Sequence, residues 1–198
     1  MTESVLTVER ILVAAEDVLR RYGPSKATVV DVAQALGVSH GSVYRHFASK
    51  AALRDAVLRG WLERVSAPLQ AIAANRKTTP EHRLRAWLSA LRSVKREKLL
   101  GDPELFATYN ALANDAREVV GEHISQLLAQ IELILAAGVA DKSFREVDVT
   151  STALAIFNAT SRFHNPAMSY KWAGAGEDAA FATLLDLLLH GLTTARNR

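Results

Sequence analysis

Thr28-Val-Val-Asp-Val-Ala-Gln-Ala-Leu-Gly37-Val-Ser-His-Gly-Ser-Val-Tyr-Arg-His-Phe47 contains two short helical patterns joined by a glycine. Val32, Ala33 and Leu36 share one helical face, and Val43 and Phe47, four apart, share another, so each apolar stripe needs the other to cover it. Gly37 follows the first stripe, where helices commonly end on a left-handed residue that glycine supplies without steric cost. Ser39 is placed to cap the next helix. The outward face of that second helix, residues 39–47, carries Ser39, His40, Gly41, Ser42, Arg45 and His46, with Tyr44 beside them. A helix that served only as solvated surface would be richer in Glu and Lys. Small side chains around Gly41 instead leave room for a backbone to approach, which implies a helix-turn-helix whose second helix enters a DNA groove.

The flanking sequence supplies the rest of a small bundle. Ile11, Ala15, Val18 and Tyr22 recur at 4, 3 and 4, so residues 7–22 form an amphipathic helix ended by Gly23-Pro24. Ser49 is a plausible cap for a helix through Leu53, Val57 and Trp61. Its first turn holds Lys50, where the helix dipole disfavours a cation by about 0.3–1 kcal/mol. A phosphate at that terminus would remove the anomaly. A bare three-helix bundle explains the stripes but not this outward face.

Thr28, Val32-Ala33, Gly37-Val38-Ser39, the run from Gly41 to Phe47, and Ser49-Lys50 with Leu53 resemble the signature of the TetR family of bacterial repressors. The resemblance covers about the first third of the chain. It implies that His40, Gly41 and Ser42 meet base edges, that Thr28, Tyr44, His46 and Lys50 meet phosphates, and that Arg45 meets either, with Ser39 beside them. One position departs: Val30 stands where many members carry a polar or arginine side chain that contacts a base.

The 198 residues suffice for one large or two small domains, and 49% apolar content excludes disordered and collagen-like classes. The net charge of +3 is uneven: residues 1–79 hold 11 Lys and Arg against 7 Asp and Glu, and residues 80–198 hold 13 against 14. The basic excess thus lies with the helix-turn-helix. With no cysteine, the chain has no disulfide framework, thiolate nucleophile or zinc–cysteine site. The opening Met-Thr-Glu-Ser has no basic leader region, and the apolar stretches 124–140 and 181–192 are interrupted by Gln126, Gln130, Glu132, Asp186 and His190. A cytoplasmic protein without a membrane partner is expected.

After Trp61 the pattern stays helical and no period-2 alternation occurs, so the fold class is all-α. The expected organisation is a helix-turn-helix DNA-binding domain over residues 1–50 and a larger helical effector-binding and dimerisation domain over 51–198. A helix starts at Pro80 and includes Leu84, Trp87, Leu88 and Leu91. Gly101-Asp102-Pro103 ends it and starts another through Leu105 and Leu112. A long helix over about 116–137 is closed by Gly138 and the polar segment 140–147. A further helix begins at Asp148 or Thr150 and contains Ile156, and Glu177-Asp178 form the acidic first turn of the last. There Phe181, Leu184, Leu185, Leu188 and Leu192 form a stripe that Leu187 and Leu189 widen beyond the needs of one core. The surplus, with Ile156, predicts a subunit interface: the last two helices pairing with their copies as a four-helix bundle, which is also how the resemblance implies dimerisation. A homodimer would suit a pseudo-palindromic operator on double-stranded DNA.

Aromatic and polar residues alternate in this part: Trp87, Phe106, Tyr109 with Asn110, Phe157 with Asn158, and Arg162 before Phe163. Each aromatic alone is most simply core, but hydrogen-bonding groups beside apolar faces are expected where a pocket orients a small molecule, and the resemblance implies such a pocket. His82, His123, His164 and His190 show no metal-ligand spacing. No nucleophile elbow, P-loop or dinucleotide fingerprint follows a strand, so neither an enzyme nor a cofactor is expected. The expected function is a repressor released from DNA by a small effector. The alternative is a DNA-bound adaptor of the same fold whose C-terminal domain binds a protein and no small ligand.

Overall fold

The computed structural model describes residues 5–194. Nine α-helices are present among them: α1 (Val8–Lys26), α2 (Val29–Leu36), α3 (His40–Tyr44), α4 (Lys50–Ala74), α5 (Pro80–Gly101), α6 (Pro103–Asp115), α7 (Arg117–Ala140), α8 (Val149–Ala159) and α9 (Glu177–Leu192), with 3-10 turns at Ser161–Phe163 and Pro166–Lys171. The fold is all-α. Most starts carry a cap visible in the sequence: Thr7 Oγ1 accepts from Arg10 N, Asp102 from Leu105 N and Asp148 from Ser151 N. Gly23, at φ 74°, kinks α1 where the sequence ends it, and one more turn follows to Lys26.

The helices form two compact units. The first comprises residues up to Glu63 with Asp102–Gly121, and the second Arg64–Gly101 with the residues from Glu122 onward. α4 therefore runs unbroken past residue 50, and α6 belongs to the first unit although it follows α5 in the chain. In that unit Ile11, Val18, Val32, Val43, Val57 and Leu58 are buried. Trp61 stacks on Tyr109, with ring centroids 4.5 Å apart, and meets Phe106 edge-on. Arg20–Asp102 and Arg54–Asp115 ion pairs, both at 3.2 Å, tie α1 and α4 to α6 and its N-cap.

The second unit packs α5, α8, α9 and the remainders of α4 and α7 around Leu69, Leu84, Trp87, Leu91, Ile131, Leu135, Ile156 and Phe181. α7 is long and apolar enough to cross a membrane, but Leu127, Ile131, Ile134 and Leu135 make it a core helix here. Two sequence expectations are corrected. α7 passes Gly138 and ends at Ala140, so the polar segment and not the glycine closes it; a Cβ on Gly138 would lie 2.1 Å from the Phe144 ring, and this glycine lets Phe144 lie against the helix. Nor do the expected interface residues all face outward. Ile156, Phe181, Leu185 and Leu192 are buried in the protomer's own core and Leu184 and Leu188 are half-buried, because the stripe 181–185–189–192 turns inward. The opposite stripe exposes Leu187 at 70%, and α8 exposes Leu154 at 47%.

Candidate nucleic-acid interface

The first unit builds its displayed helix from local hydrogen bonds. Thr28 caps α2 in a reciprocal box: Asp31 N donates to Thr28 Oγ1 at 3.2 Å, while the Asp31 carboxylate accepts from Thr28 N at 2.8 Å and from the Thr28 hydroxyl at 2.6 Å. These bonds, with a smaller effect of the Lys50 charge, hold the Asp31 carboxyl below its ordinary pKa. Gly37 sits at φ 68°, ψ 29°, and Val38 N returns to Ala33 O at 3.0 Å, closing α2 in the left-handed cap the sequence predicts. Ser39 then caps α3, accepting from Ser42 N at 3.2 Å.

α3 is shorter than the sequence implies. It spans His40–Tyr44, and Arg45 and His46 complete a turn whose amides return to Gly41 and Val43. Only Val43, fully buried, anchors it inward. His40, Gly41, Tyr44, Arg45 and His46 are exposed and Ser42 is half-buried. Gly41 has no packing role, since a Cβ there would meet only Ser39 Oγ, at 3.8 Å. The outer face carries a chain of polar groups: Ser39 Oγ lies 2.9 Å from Ser42 Oγ, which accepts from Arg45 Nη2 at 3.0 Å. The Arg45 guanidinium is thereby held along the helix. His40 and Tyr44 stand edge to face at 6.3 Å. Val30 is 59% exposed, an apolar group on open surface. Ser49 caps α4 through Ala52 N at 3.0 Å and puts Lys50 in its first turn.

The residues expected to line a ligand pocket are not gathered in one unit. Phe106 and Tyr109 are buried in the first unit against Trp61, with Asn110 half-buried on the same helix. Trp87, fully buried in the second unit, donates from Nε1 to Gln130 Oε1 at 2.8 Å, and Gln130 in turn donates to Ser66 O. Phe157 packs against the His164 ring at 4.7 Å, Asn158 is exposed, and Arg162 pairs with the buried carboxylate of Glu177. The set is expected from hydrogen-bonding groups beside apolar faces, a signal that does not say which helices pack together; packing divides it between the two units. Lys95 carries a signal in its periodicity alone: it continues the buried stripe Leu84, Leu88, Leu91 of α5.

Models of known families match this chain twice: "Bacterial regulatory proteins, tetR family" over residues 11–57, and "Tetracyclin repressor-like, C-terminal domain" over residues 80–185. Across 197 residues it is 27% identical to the HTH-type transcriptional repressor KstR2 of Rhodococcus jostii (strain RHA1), covering 94% of this chain and 91% of that protein. A TetR-family regulator structure from Mesorhizobium loti superposes with a TM-score of 0.72 at 18% identity, covering 94% and 96% of the two chains. The regulator FadR of Bacillus subtilis, solved with stearoyl-CoA, gives 0.60 at 20% identity, covering 93% and 99%. With a capped helix-turn-helix over the matched N-terminal residues and an all-helical unit behind the second match, the chain belongs to the TetR family of bacterial transcriptional regulators.

Proposed function

We propose that this regulator is a repressor that works as a homodimer, each protomer inserting α3 into a major groove of a pseudo-palindromic operator, and that a small molecule held by the second unit releases it. The observation that carries this reading is the outward face of α3, anchored by Val43 alone and open at Gly41. His40, Gly41 and Ser42 take base edges, with Ser39 beside them, and Arg45 takes a base edge or a phosphate. Thr28, Tyr44, His46 and Lys50 take phosphates, which orient the protein without carrying sequence information. The Thr28 hydroxyl is already shared with Asp31, so its contact to DNA competes with the cap. Residues 1–50 act as the DNA-contacting head, and residues 51–198 hold the effector and the partner copy.

Helix-turn-helix dimers contact half-sites about one helical turn, or a multiple of it, apart. The dimer is supported by apolar side chains that the protomer leaves outside: Leu187 with half-buried Leu184 and Leu188 on α9, and Leu154 with exposed Ala155 and Ala159 on α8. Small neighbours allow close helix approach. Release requires an effector that favours the DNA-incompetent arrangement. α4, which supplies residues to both units, is the continuous element through which that preference passes. Binding-site selection tests the assignment: wild type and variants at His40 and Ser42 should enrich different motifs, with losses of about 1–3 kcal/mol on the wild-type site. One shared motif for all three would reject it.

A further inference from the structure

A cavity of about 740 Å³ lies in the second unit where the end of α4, the start of α5 and the end of α7 meet. Small-molecule sites span about 300–1,000 Å³, so this one has room for more than an inorganic ion. Alanines leave the space, Ala73 on α4 and Ala137 on α7, and the charged groups that line it are Arg76, Lys77, Arg83 and Asp141. Arg83 is 6% exposed, and its Nη1 donates to the Ala73 carbonyl at 3.1 Å, closing the end of α4. Its Nε has no hydrogen-bond partner among the described residues. A guanidinium carries five N–H donors and no acceptor, so capping α4 accounts for only part of it. Arg76 and Lys77 are exposed on the loop between α4 and α5, and neither side chain enters an ion pair among the described residues. Bonds to Ser143, with a smaller contribution from the Arg83 charge, hold the Asp141 carboxyl below its ordinary pKa. Asp141 therefore stays ionised and offsets one of the three cations, which leaves the cavity with two positive charges in surplus.

We infer that this cavity binds a phosphate monoester of a small organic molecule, with Arg76, Lys77 and Arg83 on the phosphate and the organic body against Leu133 and Ala137. A monoester carries about −1.5 to −2 charges near pH 7, which matches the surplus. Its oxygens fit the planar fork of an arginine and supply Arg83 with an acceptor beyond the one that α4 provides. Inorganic phosphate would meet the charges but leave the apolar wall uncovered. A carboxylate of the same shape would cover the wall but leave one charge unmatched. The inference deepens the effector-released reading by giving a site and a ligand class, and it rests on that reading only for the step from occupancy to release of DNA.

Phenyl phosphate, benzoate and inorganic phosphate, each titrated calorimetrically into the full-length protein at neutral pH and low salt, separate the possibilities. Phenyl phosphate should bind saturably and about tenfold or more tighter than either of the others. Arg83→Gln should weaken it about tenfold or more, the loss of a charge-assisted hydrogen bond. Lys77→Met, a change on the exposed loop, should weaken it about two- to fivefold. Ala137→Phe, which fills the cavity without altering its charge, should abolish binding. Thermal unfolding of each variant verifies that it folds, and should Arg83→Gln fail to fold, the other two variants decide. No saturable response to phenyl phosphate, benzoate or inorganic phosphate binding as tightly, or an Ala137→Phe variant that binds like wild type would each overturn the inference. If phenyl phosphate binds but leaves the affinity for a selected duplex unchanged, the site stands and occupancy is not what releases DNA; if the duplex binds and phenyl phosphate does not, only this inference falls.

Discussion

Replacing Gly41 with alanine separates a role in DNA contact from a role in folding. The new Cβ would stand 3.8 Å from Ser39 Oγ and near nothing else, ordinary van der Waals separation, so the free protein accommodates it. Glycine within a helix costs roughly 0.5–1 kcal/mol relative to alanine, so Gly41→Ala should leave stability unchanged or raise it by up to about 1 kcal/mol. With α3 in the groove as proposed, the same methyl would occupy the surface nearest the bases. A lost base-edge contact is worth about 1–3 kcal/mol, so affinity for a selected duplex should fall by about 5- to 150-fold. Urea unfolding of the free protein and fluorescence anisotropy with the duplex measure the two effects. An alanine variant that binds as tightly as wild type would remove Gly41 from the interface, and one that unfolds more easily would make the glycine a packing residue.

Gly138→Ala should behave in the opposite way. Phe144 must move to clear a contact of 2.1 Å, and overpacking of about 1–3 kcal/mol exceeds the helix-propensity gain, whereas Gly60→Ala, with nothing within 4 Å, should stabilise; thermal unfolding of the pair decides. Tyr44→Phe and Lys50→Ala should each lower the slope of log affinity against log salt by about one while leaving the selected motif unchanged; unaltered slopes would refute their phosphate contacts. Stability should also fall on acidification. Burial, aided by the Lys95 charge at both and opposed at His164 by the bond to the Phe157 carbonyl, depresses both folded-state values, to about 3 and about 4 against 6.5 unfolded. The unfolded chain therefore takes up protons that the folded one refuses, so stability is full above pH 6.5 and is lost as pH falls toward 4, by up to about 1.4 kcal/mol per pH unit for each imidazole. Unfolding midpoints that do not move between pH 7 and pH 5 would contradict this.

Much of the molecule was legible because its punctuation is chemical. Gly37 closes α2 and Ser39 opens α3, Pro80 opens α5, and the Asp102 and Asp148 side chains cap α6 and α8. Gly138 was misread because a stopping glycine and a packing glycine look alike until Phe144, six residues on, folds back over it. In α9 leucines occupy both faces, so periodicity identifies two apolar stripes without saying which one the protomer covers. The aromatics expected in one pocket are divided between two units for a topological reason that periodicity does not carry: α6 follows α5 but packs with Trp61 of α4. Lys95 and His123 were marked by their positions on apolar stripes, but only the packed unit shows that they share an interior.

The central claim is that α3 is presented twice, by a symmetric pair, to one face of a duplex. Analytical ultracentrifugation of the protein with a duplex recovered by binding-site selection measures this directly. The account predicts two chains per duplex on inverted half-sites whose centres lie about 10–10.5 base pairs apart, or a multiple of that spacing. One chain per duplex on a single asymmetric site would contradict it.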